Sequence, residues 1–344
     1  MTDWKAFARQ LELPTQEEGS LPTSVLIRLA ASGALASHAD SLEFAEINRQ
    51  LGASSGSLRT LVTVHSMALL ALVRRAQSSL VERWRGPLEA GSKFAAFAAS
   101  EEGAGTRLDR VRCRARLDET GYRLSGTKTW VSFGQIADAF LVLARAPGGL
   151  TTFWVSREQE GLRVEPSEPL AGLQASLSAS VHFDACRVEA NQLVGGEGLG
   201  LALVVQECLT LGRLGVAWGC LGGLEACLES SIEHVRARGL GEHGQVLASL
   251  GQMRVEALAL EGLARRASRA WQEREPDCAS LAMAAKFAAA ASYRRAAEVA
   301  VCLQGGVGCL LSNPLQRHLR DSKVMEIIEG SQPVLAAFLG KELL

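Results

Sequence analysis

The segment Met325-Glu326-Ile327-Ile328-Glu329-Gly330-Ser331 places one carboxylate, that of Glu329, between an apolar run and a Gly-Ser turn. Gly330 can adopt backbone angles that other residues avoid, so the chain can turn sharply after Glu329. Ser331 is predicted to cap the helix that follows, and Pro333 suits the first turn of that helix. A carboxylate on such an elbow is positioned by the backbone, as a general base requires. From this segment alone, a capping or solvated glutamate remains the alternative.

Two glycine-rich segments precede the elbow. The first, Gln304-Gly305-Gly306-Val307-Gly308, is a weak phosphate cradle because it lacks the lysine of a P-loop. The second, Gly195-Gly196-Glu197-Gly198-Leu199-Gly200, is not a dinucleotide fingerprint because no βαβ unit surrounds it.

Length and composition predict a large globular protein. The chain has 344 residues and a formal net charge of −1, so it can hold two or three domains and has no electrostatic footprint for nucleic acid. The N-terminus has no apolar signal core. The most apolar stretches, Leu58 to Val73 and Leu199 to Cys227, contain or adjoin charged residues and are predicted to be buried helices rather than membrane spans.

The eight cysteines form no CxxC pair and lie in apolar surroundings, so buried, reduced thiols are predicted. The six histidines show no ligand-like spacing, and no metal site is expected. A reducing, cytoplasmic location follows as an expectation.

Hydrophobic periodicity divides the chain into three zones, which predict an α+β fold: a helical domain over 1–93, a central β-barrel or sandwich over 94–194, and a helical bundle over 195–344. The predicted helices are Thr23–Ala36, Ser41–Leu51, Ser57–Arg74, Ser78–Glu89, Leu199–Ala237, Val246–Glu273, Cys278–Leu303 and Pro333–Leu343. The predicted strands are Arg112–Leu117, Tyr122–Ser125, Ala139–Ala144, Thr151–Val155 and Ala179–Phe183.

Two motifs in the central zone complete the pattern: Phe97-Ala98-Ala99-Ser100-Glu101-Glu102-Gly103-Ala104-Gly105-Thr106 and Gly126-Thr127-Lys128-Thr129-Trp130-Val131-Ser132-Phe133-Gly134. With the C-terminal segments, they make the chain resemble the acyl-CoA dehydrogenases over nearly its whole length. That family has a helical domain, a central β-domain and a C-terminal four-helix bundle. The resemblance implies an FAD-dependent oxidoreductase.

The resemblance assigns a role to each motif. Ser100 and Ser132 would bond the flavin ring, Trp130 would pack on it, and Gly105 and Thr106 would approach flavin or substrate. Read alone, a tryptophan on a strand is equally compatible with core packing.

The same resemblance makes Glu329 the catalytic base and Arg213 an active-site arginine, although a helix-interior salt bridge is the alternative for Arg213. Some branches of the family place the base immediately before that arginine, where this chain has Gly212. Arg320 and Asp321 match a structural pair of the family.

At the adenosine end of FAD, the resemblance points to Gln304, Gly305 and Gly306, often contributed by a neighbouring subunit. Arg236 belongs to a shortened form of a motif that grips FAD across a dimer interface. This end of the cofactor site departs most from the family pattern.

The expected activity is α,β-dehydrogenation of a short acyl thioester, on coenzyme A or on an acyl carrier protein of a polyketide pathway. A separate electron acceptor is expected, and so is a homodimer or homotetramer packed through the bundle. Leu214 to Cys227 could serve as the packing surface, and the alternative is that this segment belongs to the core of its own chain. A flavin-dependent oxidase or monooxygenase, or a degenerate non-catalytic relative, remains the alternative.

Overall fold

The computed structural model describes residues 3–11, 21–36, 41–105, 107–119 and 121–344. The N-terminal part is helical: α1 (Trp4–Gln10), α2 (Thr23–Ala31), α3 (Ser41–Ser54), α4 (Gly56–Arg75) and α5 (Ser78–Glu89). Helix α4 begins where the Ser55 hydroxyl accepts a hydrogen bond from the backbone N–H of Leu58, which satisfies one of the free donors of the first turn.

The central part is a sheet of eight strands: β1 (Ala95–Ala98), β2 (Arg114–Asp118), β3 (Gly121–Val131), β4 (Ala139–Ala146), β5 (Gly149–Ser156), β6 (Leu162–Pro166), β7 (Ala179–Val188) and β8 (Leu193–Val194). The order is β6-β7-β3-β2-β4-β5-β8, and β1 pairs with β4 in parallel. The β3–β7 register shifts between Lys128 and Val131. Such a bulge redirects side chains, and it lies within the second flavin motif.

The C-terminal part begins with a π-helical turn, Gly200–Val205, which leads directly into α6. The helices are α6 (Gln206–Ala237), α7 (Gly244–Gln272), α8 (Cys278–Gln304), α9 (Pro314–Met325) and α10 (Gln332–Lys341). Helix α6 is the centre of the molecule and packs against α3, α4, α7, α8 and α9.

Glycines on α6 allow the neighbouring helices to approach closely. A Cβ atom at Gly222 would lie 1.8 Å from the backbone oxygen of Arg49 on α3, and one at Gly52 would lie 2.2 Å from the oxygen of Gly219. The segment from Leu214 to Cys227 is buried mainly within this chain. Its expected role as a surface for packing between subunits is therefore wrong.

The predicted fold class is confirmed: helical parts flank a central sheet. Helices α1 and α9 and strands β1, β6 and β8 were not predicted, and Leu199–Ala237 is a π-helical turn followed by an α-helix. The predicted domain boundaries at 93/94 and 194/195 fall between elements and stay predictions. The two stretches long and apolar enough to cross a membrane, Gly56–Arg75 and Gly200–Ala237, have 94% and 67% of their apolar windows buried inside the fold.

Replacing Gly222 with alanine is expected to lower the free energy of unfolding by roughly 1–3 kcal/mol, because α3 and α6 must move apart. Gly340→Ala is the control. Gly340 lies in α10 with nothing near its Cβ position, so alanine there should stabilise by about 0.5 kcal/mol. Urea unfolding of both variants measures the difference, and equal effects would contradict the close approach of the two helices.

Candidate active site

The elbow that carries Glu329 joins α9 to α10. Glu329 has a φ of 54° and Gly330 a φ of 104°, so two successive residues occupy the left-handed region. A non-glycine residue is strained there and must be held by its surroundings. The Ser331 side chain does not cap α10, so the predicted cap is wrong. Pro333 lies in the first turn of that helix, as predicted.

Two buried cations hold the elbow through its backbone. The Lys286 ammonium donates to the carbonyl oxygen of Gly330 at 2.6 Å and to that of Glu326 at 3.4 Å. Arg213 Nε donates to the carbonyl oxygen of Glu329 at 3.1 Å. These contacts satisfy carbonyls on both sides of the carboxylate-bearing residue and fix the turn from α6 and α8.

The Glu329 carboxylate is buried and lies against α6. Its Oε2 atom has no hydrogen-bond partner among the described residues. A Cβ atom at Gly212 would lie 2.9 Å from Oε2 and 2.9 Å from the Sδ atom of Met67 on α4. The glycine at 212 therefore provides the space into which the carboxylate projects.

Burial raises the pKa of the Glu329 carboxyl above its ordinary value, and the positive charges on Arg213, Arg59 and Lys286 oppose that rise only in part. Burial also lowers the pKa of Lys286 to about 8. A carboxylate with a raised pKa and a free oxygen is suited to accept a proton.

The motifs of the central sheet meet on one side of β3. The backbone N–H of Thr129 donates to the carbonyl oxygen of Ser100 at 3.0 Å, which joins the first motif to the second. The fully buried Lys128 ammonium donates to Glu101 Oε1 at 2.7 Å and to the carbonyl oxygen of Ala99 at 3.0 Å. Glu101 in turn accepts from backbone N–H groups that precede β2.

Trp130 lies at the bulge in β3 with a φ of 58°, and its side chain is 61% exposed. An aromatic side chain turned outward from a sheet by a left-handed residue provides a flat apolar surface for stacking. The hydroxyls of Ser100 and Ser132 have no hydrogen-bond partner among the described residues, and the buried Thr129 Oγ1 also has none. An exposed aromatic ring, with free hydroxyls on Thr129 and Ser132 of the same segment and on Ser100, could hold an isoalloxazine ring. Core packing is wrong for Trp130.

The other residues predicted to bind the cofactor do not all lie at the surface that carries Trp130. Gly105 is exposed near this surface, and Thr106 lies outside the described residues. Arg236 is exposed near the end of α6, about 35 Å from Arg213 by the rise of the helix, which is longer than an extended FAD. Gln304 donates to Ser230 and accepts from Asn313, and the adjoining Gly305 and Gly306 are exposed.

Arg213 makes no salt bridge within α6, so that alternative is wrong. Asp321 Oδ1 accepts from the backbone N–H of Leu173 at 2.6 Å, which ties α9 to the segment before β7.

Sequence reasoning missed the roles of Lys286, Arg59 and the Lys128–Glu101 pair. The signal for Lys286 is that it is the one cation in the alanine-rich first half of the helix, residues 278–293.

The cysteine prediction holds for five residues and fails for three. The buried thiols are Cys113, Cys186, Cys208, Cys220 and Cys227. Burial raises the pKa of Cys186, Cys220 and Cys227 to about 12. Cys278 is half-buried, whereas Cys302 and Cys309 are exposed.

Comparison with known proteins gives the family. Residues 96–186 match the model of the acyl-CoA dehydrogenase middle domain, and residues 198–344 match that of the C-terminal domain; together these exceed half of the chain. The mouse mitochondrial short-chain specific acyl-CoA dehydrogenase is 29% identical over 340 residues, covering 95% of this chain and 81% of that protein.

The chain belongs to the acyl-CoA dehydrogenase family. It is a flavoprotein oxidoreductase. Butyryl-CoA dehydrogenase from Megasphaera elsdenii has the same fold, with a TM-score of 0.94, 24% identity and coverage of 100% of this chain and 98% of that one. FkbI, described as acting in biosynthesis of a methoxymalonyl extender unit, is 28% identical with a TM-score of 0.89, covering 99% and 98% of the two chains.

Glu329→Gln should raise Tm by roughly 2 °C near pH 8, because the amide removes a buried ionised carboxylate. Below the unfolded-state pKa, Glu329 is neutral in both states, so the Tm difference should vanish as the pH falls below about 4.5. Thermal unfolding from pH 4 to 8 measures this.

Glu326→Gln is the control on the same elbow. Glu326 is paired with Lys323 at 2.8 Å, so this variant should gain no stability at pH 8. A pH-independent gain for Glu329→Gln would contradict the raised pKa.

Lys286→Met should lower kcat by roughly 10- to 100-fold while KM changes little, because the elbow loses the donor that holds Gly330. Lys323→Met, on the exposed side of the same region, is the control and should retain activity. Turnover per mole of bound flavin measures both. Loss of thermal stability with unchanged kcat would show that Lys286 does not position the base.

Proposed function

We propose that this protein catalyses the FAD-dependent α,β-dehydrogenation of a short acyl thioester, with Glu329 removing the α-proton. The observation that carries the proposal is the Glu329 carboxylate: it is buried, has a raised pKa and has an oxygen without a partner. A solvated or capping glutamate would have none of these properties. The strained backbone at Glu329 supports the same role, because strain of this kind concentrates at functional sites.

The residues around Glu329 position its carboxylate and do not themselves accept the α-proton of the substrate. Gly212 leaves room for the carboxylate, and Arg213 and Lys286 act as positioning residues through the elbow backbone. The backbone N–H of Glu329 donates to no described residue and is free to polarise the thioester carbonyl. Such polarisation is needed because the α-proton of a thioester is too weakly acidic for an unaided carboxylate.

Trp130, Ser132 and Ser100 would hold the isoalloxazine ring of FAD against the sheet. When bound, FAD supplies the acceptor for the hydride that leaves the β-carbon. Thr129 Oγ1 offers a further hydrogen-bonding group from beneath the same surface. The exposed Arg236, Gly305 and Gly306 would contact the adenosine end of FAD held by a neighbouring copy, since Arg236 lies about 35 Å along α6 from Arg213.

A homo-oligomer accords with the exposed face of α7. Leu247, Val255 and Leu258 are 50–61% exposed, and Gly251 and Gly262 lie on the same face. An apolar stripe interrupted by glycines allows another helix to pack closely. A dimer or tetramer formed through the bundle would cover it.

We further propose an acyl carrier protein as the bearer of the substrate. The support is the 28% identity over almost the full chain to FkbI, a protein for the biosynthesis of a polyketide extender unit. The prolyl acyl carrier protein oxidase AnaB has the same fold, with a TM-score of 0.90 and 21% identity, and that likeness concerns the fold alone. Coenzyme A as bearer is the competing outcome of the test.

The test begins with the absorbance spectrum of the purified protein, followed by anaerobic mixing with short acyl groups on coenzyme A and on carrier protein. We expect a yellow protein whose colour bleaches with one bearer and not the other. Glu329→Gln should retain the flavin and lose at least about 1000-fold in the bleaching rate, since no other carboxylate replaces the base.

Glu326→Gln is again the control and should bleach at the wild-type rate. Normal bleaching by Glu329→Gln would exclude Glu329 as the base. Oxygen consumption equal to turnover would favour an oxidase, and a protein that cannot be loaded with FAD would favour a non-catalytic relative.

A further inference from the structure

The outer face of the central sheet carries arginines in rows that cross its strands. The register places Arg145 of β4 opposite Arg114 of β2. It also places Arg116 of β2 opposite Arg123 of β3, which in turn lies opposite Arg187 of β7. All five arginines are exposed. Residues paired across strands, and residues two apart on one strand, share a face of the sheet, so the five form one surface, termed the arginine rows.

Few carboxylates offset these charges. On strands β2, β3, β4 and β7 the acidic residues are Asp118, which accepts from Arg123 at 2.8 Å, and the exposed Asp184. The side chain of Arg145 donates to a backbone carbonyl oxygen rather than to a carboxylate. The side chains of the other three arginines make no hydrogen bond or ion pair among the described residues: Arg114, Arg116 and Arg187.

Such an arrangement costs stability in the isolated chain, because like charges directly opposite each other across strands repel. It is explained by an anionic surface that binds from outside, since the guanidinium group is suited to paired hydrogen bonds with carboxylates. The whole chain has a formal net charge of −1, so the positive charge is confined to this face. A compact patch of this kind favours an acidic protein over nucleic acid, which is bound by strongly basic domains.

The arginine rows match the face of a helix in size. Neighbouring strands lie about 4.8 Å apart, so the row from Arg116 to Arg187 spans about 10 Å, close to the diameter of an α-helix. Acidic residues three or four positions apart on a helix lie about 5–6 Å from one another, which is close to the spacing of the arginines. The rows can therefore bind several carboxylates of one acidic helix.

The arginine rows also lie close to the surface proposed to hold the flavin. The backbone N–H of Arg112, just before β2, donates to Glu101 of the first flavin motif. Arg114 pairs with Ser125 of β3, which precedes Trp130 by five residues, or about 17 Å by the rise of a strand. A carrier protein presents its thioester on a long, flexible phosphopantetheine arm, so it must dock beside the catalytic site rather than inside it.

We propose that the arginine rows bind the acidic surface of the carrier protein that bears the substrate. The inference rests on the proposed function, because it takes the acyl group to arrive on a protein rather than on free coenzyme A. The arginines would contact the carrier protein and not the acyl group. They should therefore raise the affinity for the carrier-bound thioester and leave the chemical step unchanged.

The test supplies one short acyl group, such as butyryl, to the holoenzyme on an acidic acyl carrier protein and on free pantetheine. Arg116→Glu should lower kcat/KM for the carrier-bound thioester roughly 10-fold through KM, and Arg116→Glu with Arg187→Glu roughly 100-fold. Both variants should turn over the pantetheine thioester at the wild-type rate. Salt at about 0.5 M should weaken the wild-type reaction with the carrier-bound thioester in the same selective way.

The fold is checked by Tm. Arg116→Glu should have a Tm equal to or above that of the wild type, because a glutamate opposite Arg123 replaces repulsion by attraction. Arg83→Glu is the matched control. Arg83 is exposed on α5, so this variant makes the same change in net charge away from the sheet and should alter turnover with neither bearer.

Turnover of the carrier-bound thioester that is unaffected by both charge reversals would overturn the proposal and leave the proposed dehydrogenation intact. An equal loss with both bearers would give the arginines a role in the fold or the catalytic site and overturn it as well. Binding of the wild type, but not of the double variant, to phosphatidylserine vesicles, with carrier turnover unchanged, would assign the rows to a membrane instead. Absence of bleaching with every thioester would contradict the proposed function itself.

Discussion

The contact between the Glu329 carboxyl and the glycine at 212 is the constraint on which the site depends. A carboxylate can lie against a helix backbone only where that helix has no side chain, and Gly212 provides this position on the central helix of the molecule. Burial in that position raises the pKa of the carboxyl, and the left-handed backbone at 329 directs it there. The elbow, α6 and α8 act as one unit because Arg213 and Lys286 bind the carbonyls of the turn rather than the carboxylate. The cations therefore restrain the base without neutralising it by direct contact.

The surface of β3 that carries the second flavin motif is organised by another buried charge. Lys128 and Glu101 form an ion pair beneath the surface that carries Trp130, Ser132 and Ser100, and Glu101 completes its hydrogen bonding with backbone N–H groups before β2. A buried pair with satisfied hydrogen bonds specifies geometry more than it adds stability. Here it joins the segment after β1 to β3 and holds the bulge that turns Trp130 outward. Buried cations therefore fix a backbone in both places: Lys286 and Arg213 bind the elbow, and Lys128 binds the segment after β1.

The fold class and the elbow at Glu329 could be predicted from the sequence, because the signals for both are local. Period-3.6 and period-2 patterns separated the helical parts from the sheet, and the Glu-Gly pair at 329 and 330 predicted the elbow. Three features could not be predicted, because each depends on contacts between segments that are far apart in the sequence. The burial of Leu214 to Cys227 inside one chain depends on which helices surround α6, which an apolar pattern does not specify. The role of Lys286 depends on the meeting of α8 with a turn more than 40 residues later. The left-handed Trp130 depends on the register shift between β3 and β7. The residue positions proposed for catalysis and cofactor binding stay predictions.

The position of the proposed base, Glu329, also explains why α6 can be so rich in glycine. A base carried by α6 itself would need a side chain at 212, and its Cβ would lie 2.9 Å from Oε2 of the Glu329 carboxyl. Because the carboxylate comes from the elbow instead, glycines at 212, 215 and 219 let α4 approach α6, and Met67, Thr63 and Arg59 of α4 pack against them. Glycines in a helix interior cost conformational entropy, and three on one face are retained against that cost. Close helix packing accounts for Gly219 and Gly222, which meet α3 and α4, whereas Gly212 borders a free carboxylate oxygen. This face of α6 thus packs against α4 at Gly219 and borders the carboxyl of the proposed base at Gly212.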